Sequence, residues 1–261
     1  MTDPKISIVT VSLNQGNFIE DAIQSVLNQN YKNFEHIIID GMSTDNTINV
    51  LKKYEHLVWI SEKDEGQSDA LNKGFKKCTG DIIGWLNSDD MYLEDTFDTI
   101  VYEMQNSSID AVYGNYMFMN KDKELTRKVF AGKPSKFISK FICFIPSTTF
   151  FFKKKIIEKN ILIDKNFHIG MDKEWFANIF SKNYKIHKID KFLAKFRWHD
   201  SNKSLDTLRV KKIRYKEGLI IYNRYSKRKL PDNIFGMILY ILMQRVAVIY
   251  NGVTKRILFK K

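Results

Sequence analysis

Short apolar runs alternate with amphipathic stretches through the first part of the chain. Ile6–Ser12 (ISIVTVS) is rich in β-branched residues and predicts a buried strand. Apolar residues then fall at 18, 19, 22, 23, 26 and 27, one helical face, which predicts a helix over Phe18–Asn28. Ile37–Asp40 predicts the next strand, and a helix with Ile48, Val50 and Leu51 as its apolar positions begins near Asn46. Leu57–Ile60 is a third strand. Gln67–Cys78 is a helix ending at Thr79-Gly80, where the glycine is expected to take a left-handed cap. Ile82–Leu86 is a fourth strand. Strands alternating with helices imply a parallel sheet with right-handed crossovers. Ligands of such sheets bind beyond the carboxyl ends of the strands. Those ends are polar here: Ser12-Leu13-Asn14, Asp40 and Asn87-Ser88-Asp89-Asp90.

The second half is less regular. Ala111–Tyr116, Ser147–Phe152, Tyr184–Ile189 and Leu193–Trp198 predict strands. Lys153–Asn160 and Asp172–Ser181 predict helices, the latter with Trp175, Phe176 and Ile179 inward. Beyond Ser204 the pattern is helical and basic. Over Leu230–Lys261, polar or small residues (Asn233, Gly236, Tyr240, Gln244, Asn251, Lys255) recur at helical spacing among Ile, Leu, Met, Val and Phe. Gln244 and Arg245 interrupt that stretch near its middle, which argues against a simple membrane span. An interfacial helix beside the basic segment Arg209–Lys229 fits better; the alternative is a helix packed on the preceding domain or on a second copy of the chain.

Charge sharpens this division. The net charge is +12, and residues 201–261 carry 15 Lys/Arg against 3 Asp/Glu, so the preceding 200 residues are neutral. A neutral body with a basic end implies a polyanionic partner such as an anionic membrane surface; a solvated basic face is the alternative. The two cysteines, Cys78 and Cys143, form no CxxC pattern, so neither a disulfide framework nor a zinc site is indicated and a reducing cytoplasm is expected. Ile6–Val11 is too short for a signal-peptide core.

Four acidic or imidazole positions carry candidate chemistry. Asn87-Ser88-Asp89-Asp90 offers an exposed carboxylate pair at a strand end, suited to a hard divalent cation whose remaining ligands are phosphate oxygens and water; a plain turn is the alternative. Asp40 follows three isoleucines and could accept hydrogen bonds from a base or ribose, whereas Asp45 is expected to cap the next helix. Asp172 opens a predicted helix, as a cap or as a general base facing the metal site. His199 ends a strand beside Arg197-Trp198, within reach of a metal or phosphate.

Taken in order, SIVTVSLNQGNFIEDAIQSVLNQNY, HIIIDGMSTDNT, SEKDEGQSDALNKGFKKCTGDIIGWLNSDDMY, PSTTFFFKKKII, GMDKEW and FRWH resemble a family 2 glycosyltransferase, from about Lys5 to Ser204. The likeness is strongest to the bacterial branch that builds surface polysaccharides and lipopolysaccharide. It implies an α/β fold of the nucleotide-diphospho-sugar transferase (GT-A) type, a mostly parallel central sheet flanked by helices. Residues 1–204 would form the catalytic domain, with a nucleotide-sugar half to about 110 and an acceptor half from 111; residues 205–261 would form a basic helical tail. By this resemblance Val11 and Ser12 meet the nucleotide base, and Asp40 binds base or ribose. Asn87-Ser88-Asp89 stands for the DxD element with Asp89 holding Mg²⁺ or Mn²⁺, Asp172 is the catalytic aspartate, and His199 joins the metal or diphosphate. The chain departs from the family pattern at Asn87, at Gly41, at Met171, and at Leu71, where many members have a donor-binding arginine whose contact Asp69 is expected to share.

The resemblance therefore implies an inverting, metal-dependent transfer from a nucleotide sugar, UDP-linked by expectation, to a lipid-linked or oligosaccharide acceptor at the inner face of a bacterial cytoplasmic membrane. Two other classes are weighed against it. A nucleotidyltransferase would carry a basic, glycine-rich loop after the first strand, and Ser12–Phe18 has no Lys or Arg. A nucleic-acid-binding protein using the basic end leaves the acidic rim unexplained and lacks a stacked-aromatic motif, so no nucleic-acid partner is expected.

Overall fold

The computed structural model describes residues 3–200, 202, 203, 205, 207–251 and 256–258. The first half follows the alternation closely: β1 (Ile6–Ser12), α1 (Ile19–Leu27), β2 (Phe34–Asp40), α2 (Thr47–Leu51), β3 (Leu57–Ser61), α3 (Gln67–Lys77) and β4 (Ile82–Trp85). The four strands are mutually parallel in the order β4-β1-β2-β3. β1 and β2 are buried on both faces, which is why they read as continuous apolar runs.

The second half adds β5 (Met91–Tyr92), α4 (Thr96–Met104), β6 (Ala111–Met119), β7 (Leu125–Val129), β8 (Phe151–Lys153), α5 (Lys155–Glu158), α6 (Met171–Ser181), β9 (Ile186–Arg197), α7 (Leu208–Tyr225), α8 (Ile234–Asn251) and β10 (Arg256–Leu258). β8 runs antiparallel between β4 and β6, so the sheet is parallel over β1–β4 and mixed beyond it. Helices cover both faces. α3, α6 and the last two helices close one core around Trp175, Phe150 and Phe152, while α1 and α4 close the other around Phe97 and Phe151.

Several local expectations need correction. Ser147–Thr149 is a turn of 3₁₀ helix, and only Phe151–Lys153 pairs as a strand. The helix expected over Lys153–Asn160 is confined to Lys155–Glu158. The two strands expected at 184–198 are one, β9, whose pairing with β6 shifts register around Asn115. Gly80 is not left-handed; it is required because a Cβ there would lie 2.6 Å from the Lys5 carbonyl and 2.7 Å from Ser7 Oγ. Asp45 is not the cap of α2, a position Asn46 occupies with no side-chain cap bond, but its Oδ1 accepts from the Thr47 amide at 2.9 Å.

The basic end is not a detached tail. Leu219, Ile221 and Tyr222 of α7 and Tyr240 and Ala247 of α8 are buried in the core that α6 helps to form. α8 is apolar on both sides. Its outer face leaves Ile234, Phe235, Ile238, Leu242, Val246, Ile249 and Tyr250 exposed. No described helix is long and apolar enough to cross a membrane. The expectations placed on residues 252–255 and 259–261 lie outside the described residues.

Candidate active site

The carboxyl ends of β1 and β4 open into a cavity of about 530 Å³ that extends under the start of α6. Val11, Ser12, Asn87, Ser88, Asp89, Asp172 and His199 all line it. The structure thus gathers into one concavity residues that are far apart in the chain.

Asp89 is held from several sides. Its Oδ2 lies 3.0 Å from His199 Nε2 and accepts from Asn202 Nδ2 at 3.2 Å. Phe18 stacks on the His199 ring with centroids 4.6 Å apart. Arg197 is only 1% exposed and fixes the backbone beneath: its Nε donates to the Asp89 carbonyl at 2.9 Å and its Nη2 to Asp21 Oδ2 at 2.7 Å. The adjacent carboxylates are not an exposed pair, as the sequence suggested. Asp90 is fully buried, accepting from Thr148 Oγ1 at 2.7 Å, Asn87 Nδ2 at 2.8 Å and the Arg197 amide at 2.9 Å. Burial, followed by the Asp89 charge, pushes Asp90 up to about 8. Asn87 therefore spends its amide on Asp90 and on Trp85 Nε1, at 2.9 Å, leaving Asp89 as the cavity's carboxylate on this side.

Asp172, also on the lining, sits in the first turn of α6. Its Oδ1 accepts from the Lys173 amide at 2.6 Å, and its Oδ2 from the Cys143 thiol at 3.5 Å. Burial raises its carboxyl above the ordinary range. It is not the helix cap: Gly170 occupies that position, with no side-chain cap bond.

Two expected donor contacts are placed elsewhere. Asp40 is fully buried outside the cavity lining, with its oxygens taken by Ser43 Oγ at 2.5 Å, the Ser43 amide at 2.9 Å and Ser61 Oγ at 2.7 Å. Asp69 faces Lys165 and Lys73 at 3.3 and 3.5 Å, whereas Gln67 and Ala70 of the same helix line the cavity. Sequence reasoning missed Arg197, Asn202 and Gln15. For Arg197 the adjacency to His199 was the available signal.

The lining contains polar atoms that the protein leaves open. Ser12 Oγ and Gln15 Oε1 are buried without a hydrogen-bond partner among the described residues. Buried polar atoms are nearly always satisfied, so an ordered water or a ligand is the partner each of them calls for. Among the described residues, no three His, Cys, Asp or Glu side chains converge on a metal position. Asp89 and His199 nevertheless face each other at 3.0 Å on the cavity wall. Two such ligands suit a cation that takes the rest of its shell from phosphate oxygens and water.

Comparison with known proteins decides the family. The model described as "Glycosyl transferase family 2" matches residues 7–180. The chain belongs to that family. Among curated relatives, a poly(ribitol-phosphate) beta-N-acetylglucosaminyltransferase, TarP of Staphylococcus aureus, is 31% identical over 195 residues, covering 70% of this chain and 60% of its own. A putative teichuronic acid biosynthesis glycosyltransferase of Bacillus subtilis, TuaG, is 33% identical over 125 residues, covering 46% of this chain and 49% of its own. The chain spans about a third of the length of an uncharacterized glycosyltransferase of Rickettsia felis, 31% identical over 201 residues and 75% of this chain. Two solved structures share the GT-A fold. S. aureus TarS 1–349 in complex with UDP-GlcNAc has a TM-score of 0.64 at 16% identity, over 85% of this chain and 71% of its own. The mannosyltransferase PcManGT of Pyrobaculum calidifontis, in complex with GDP-Man and Mn²⁺, has a TM-score of 0.66 at 13% identity, over 97% of this chain and 76% of its own.

Proposed function

We propose that this protein is an inverting glycosyltransferase that moves a sugar from a nucleotide-diphospho-sugar to an acceptor hydroxyl during assembly of a bacterial surface glycan. The observation that carries the reading is the single cavity that joins the Asp89–His199 pair to Asp172. Ser12 and Gln15 offer hydrogen bonds to the base or ribose at the end of β1. Asp172 accepts the proton of the acceptor hydroxyl as that oxygen forms a bond to the anomeric carbon and the bond to the diphosphate breaks. One displacement inverts the anomeric centre. Asp89 and His199 are the residues to hold Mg²⁺ or Mn²⁺, which when bound neutralises charge on the leaving diphosphate. The PcManGT complex with Mn²⁺ supports that choice of metal, and the TarS complex with UDP-GlcNAc and the name of TarP support a UDP-linked N-acetylhexosamine as donor.

The acceptor in this reading is lipid-linked, and the enzyme works at the inner face of the cytoplasmic membrane. The exposed apolar row of α8 and the excess of 15 Lys/Arg over 3 Asp/Glu beyond residue 200 support a headgroup-level contact. The two cysteines are free thiols, consistent with a reducing compartment.

The donor reading is tested by thermal shift and by hydrolysis of a panel of UDP- and GDP-sugars. UDP with Mn²⁺ raises the melting temperature, one UDP-sugar is hydrolysed fastest, and oligonucleotides leave melting unchanged. Stabilisation by oligonucleotides and not by UDP or GDP rejects it.

A further inference from the structure

The loop that delivers Asp172 is gripped from outside the family match. The amides of His168, Ile169 and Gly170 all donate to the carboxylate of Glu217 on α7, at 2.8, 3.1 and 2.6 Å. Glu217 is 6% exposed, and a Cβ on residue 170 would come within 3.2 Å of its Oε2. Three backbone donors on one buried carboxylate at the mouth of α6 make a charge-assisted clamp, with the helix dipole adding to it. It fixes the backbone that leads into α6.

A second grip follows the aspartate. Lys173 Nζ donates to the Tyr240 hydroxyl of α8 at 2.5 Å, and that hydroxyl donates to the Phe141 carbonyl at 2.9 Å. Gly218, next to Glu217, leaves room for this ring, because a Cβ there would lie 2.5 Å from the Tyr240 oxygen. Residues on both sides of Asp172 are therefore fixed by α7 and α8. Asp172 itself accepts from the neighbouring Lys173 amide at 2.6 Å and from the Cys143 thiol at 3.5 Å. His168 and Ile169 also line the cavity, so the same clamp shapes its wall.

We propose that Glu217 is a positioning residue for the transfer reaction, holding residues 168–170 so that Asp172 is aimed at the acceptor hydroxyl. The inference rests on Asp172 being the base. It makes α7 part of the catalytic apparatus, although the family match ends at residue 180.

The test uses the full chain carrying Glu217→Gln, Glu217→Asp or Asp172→Asn. The readouts are Mn²⁺-dependent hydrolysis of UDP-GlcNAc, the thermal shift with UDP and Mn²⁺, and hydrogen exchange at amides 168–170. Gln keeps the shape but replaces one acceptor oxygen by a donor. We expect Glu217→Gln to speed exchange at 168–170 and to lower kcat between about tenfold and a hundredfold, with donor KM within about twofold and the UDP shift retained. Glu217→Asp, which keeps the charge, recovers part of the rate. Unchanged exchange at 168–170, unchanged kcat, or a loss of kcat matched by an equal loss of UDP binding overturns the proposal. Full turnover by Asp172→Asn instead overturns the assignment of the base. An inactive Asp172→Asn beside a fully active Glu217→Gln rejects only the positioning role.

Discussion

At the scale of single residues, access to the cavity separates the candidate catalytic groups from those of the scaffold. Asp89 and Asp90 are neighbours, yet only Asp89 faces the cavity, and Asp90 is consumed by Thr148, Asn87 and Arg197. His36 is a purely scaffolding case. It is fully buried on β2, with Nε2 2.9 Å from Thr10 Oγ1, and burial, followed by the charge of His56, lowers it to about 3 from 6.5. The unfolded chain therefore binds a proton that the folded chain refuses. The associated stability is complete above pH 6.5 and is lost as pH falls toward the folded value near 3. Between pH 6.5 and 5, His36 alone accounts for a loss of about 2 kcal/mol. Denaturant melts of wild type and His36→Gln over this interval check it: the variant shows the shallower pH dependence, and parallel curves would show that His36 does not titrate as described.

At the scale of elements, apolar runs buried on both sides, such as the Ile37-Ile38-Ile39 core of β2, were legible to within a few residues. Elements that depend on partners were not. β7 (LTRKV) has almost no apolar pattern and exists because it pairs with β6 beyond a turn held by Asn120. α4 carries Phe97, Ile100, Val101 and Met104 at helical spacing, a readable signal that the turn-like residues before it obscured. In the site, Asp89, Asp172 and His199 were recognisable as ordered motifs. Glu217 was not, because a lone carboxylate in a basic helix looks solvated and its three amide partners lie 47 to 49 residues away. Close packing of α3 on β1 gives a prediction at this scale. A Cβ on Gly74 would lie 2.3 Å from Val9 Cγ1, on a β-branched side chain with no exposed surface. Gly74→Ala is expected to cost about 1–3 kcal/mol by overpacking, read as a melting temperature lower by several degrees. An unchanged melting temperature means α3 is less tightly seated on β1 than described.

For the whole molecule, the charge division and the packing of α8 combine. Tyr240 anchors the inner face of α8 beside Lys173, so removing the helix would open the core as well as any membrane contact. The outer face can be changed alone. Ile238→Glu, Leu242→Glu and Val246→Glu together should release the protein from anionic vesicles while leaving the melting temperature near that of wild type. High salt should weaken binding of the wild type in part, because it screens the basic residues and spares the apolar face. Equal co-sedimentation of both proteins contradicts a membrane role for α8.

The central claim is that one cavity, lined by Asp89, His199 and Asp172, divides donor holding by the first two from proton removal by the third. The most direct measurement pairs turnover with UDP–Mn²⁺ thermal shift for Asp89→Ala and Asp172→Asn. The account predicts that Asp89→Ala loses both Mn²⁺-dependent stabilisation and turnover. Asp172→Asn keeps the stabilisation, and its turnover falls by at least about a hundredfold. Full Mn²⁺-dependent activity in Asp89→Ala, or unchanged turnover in Asp172→Asn, would contradict it.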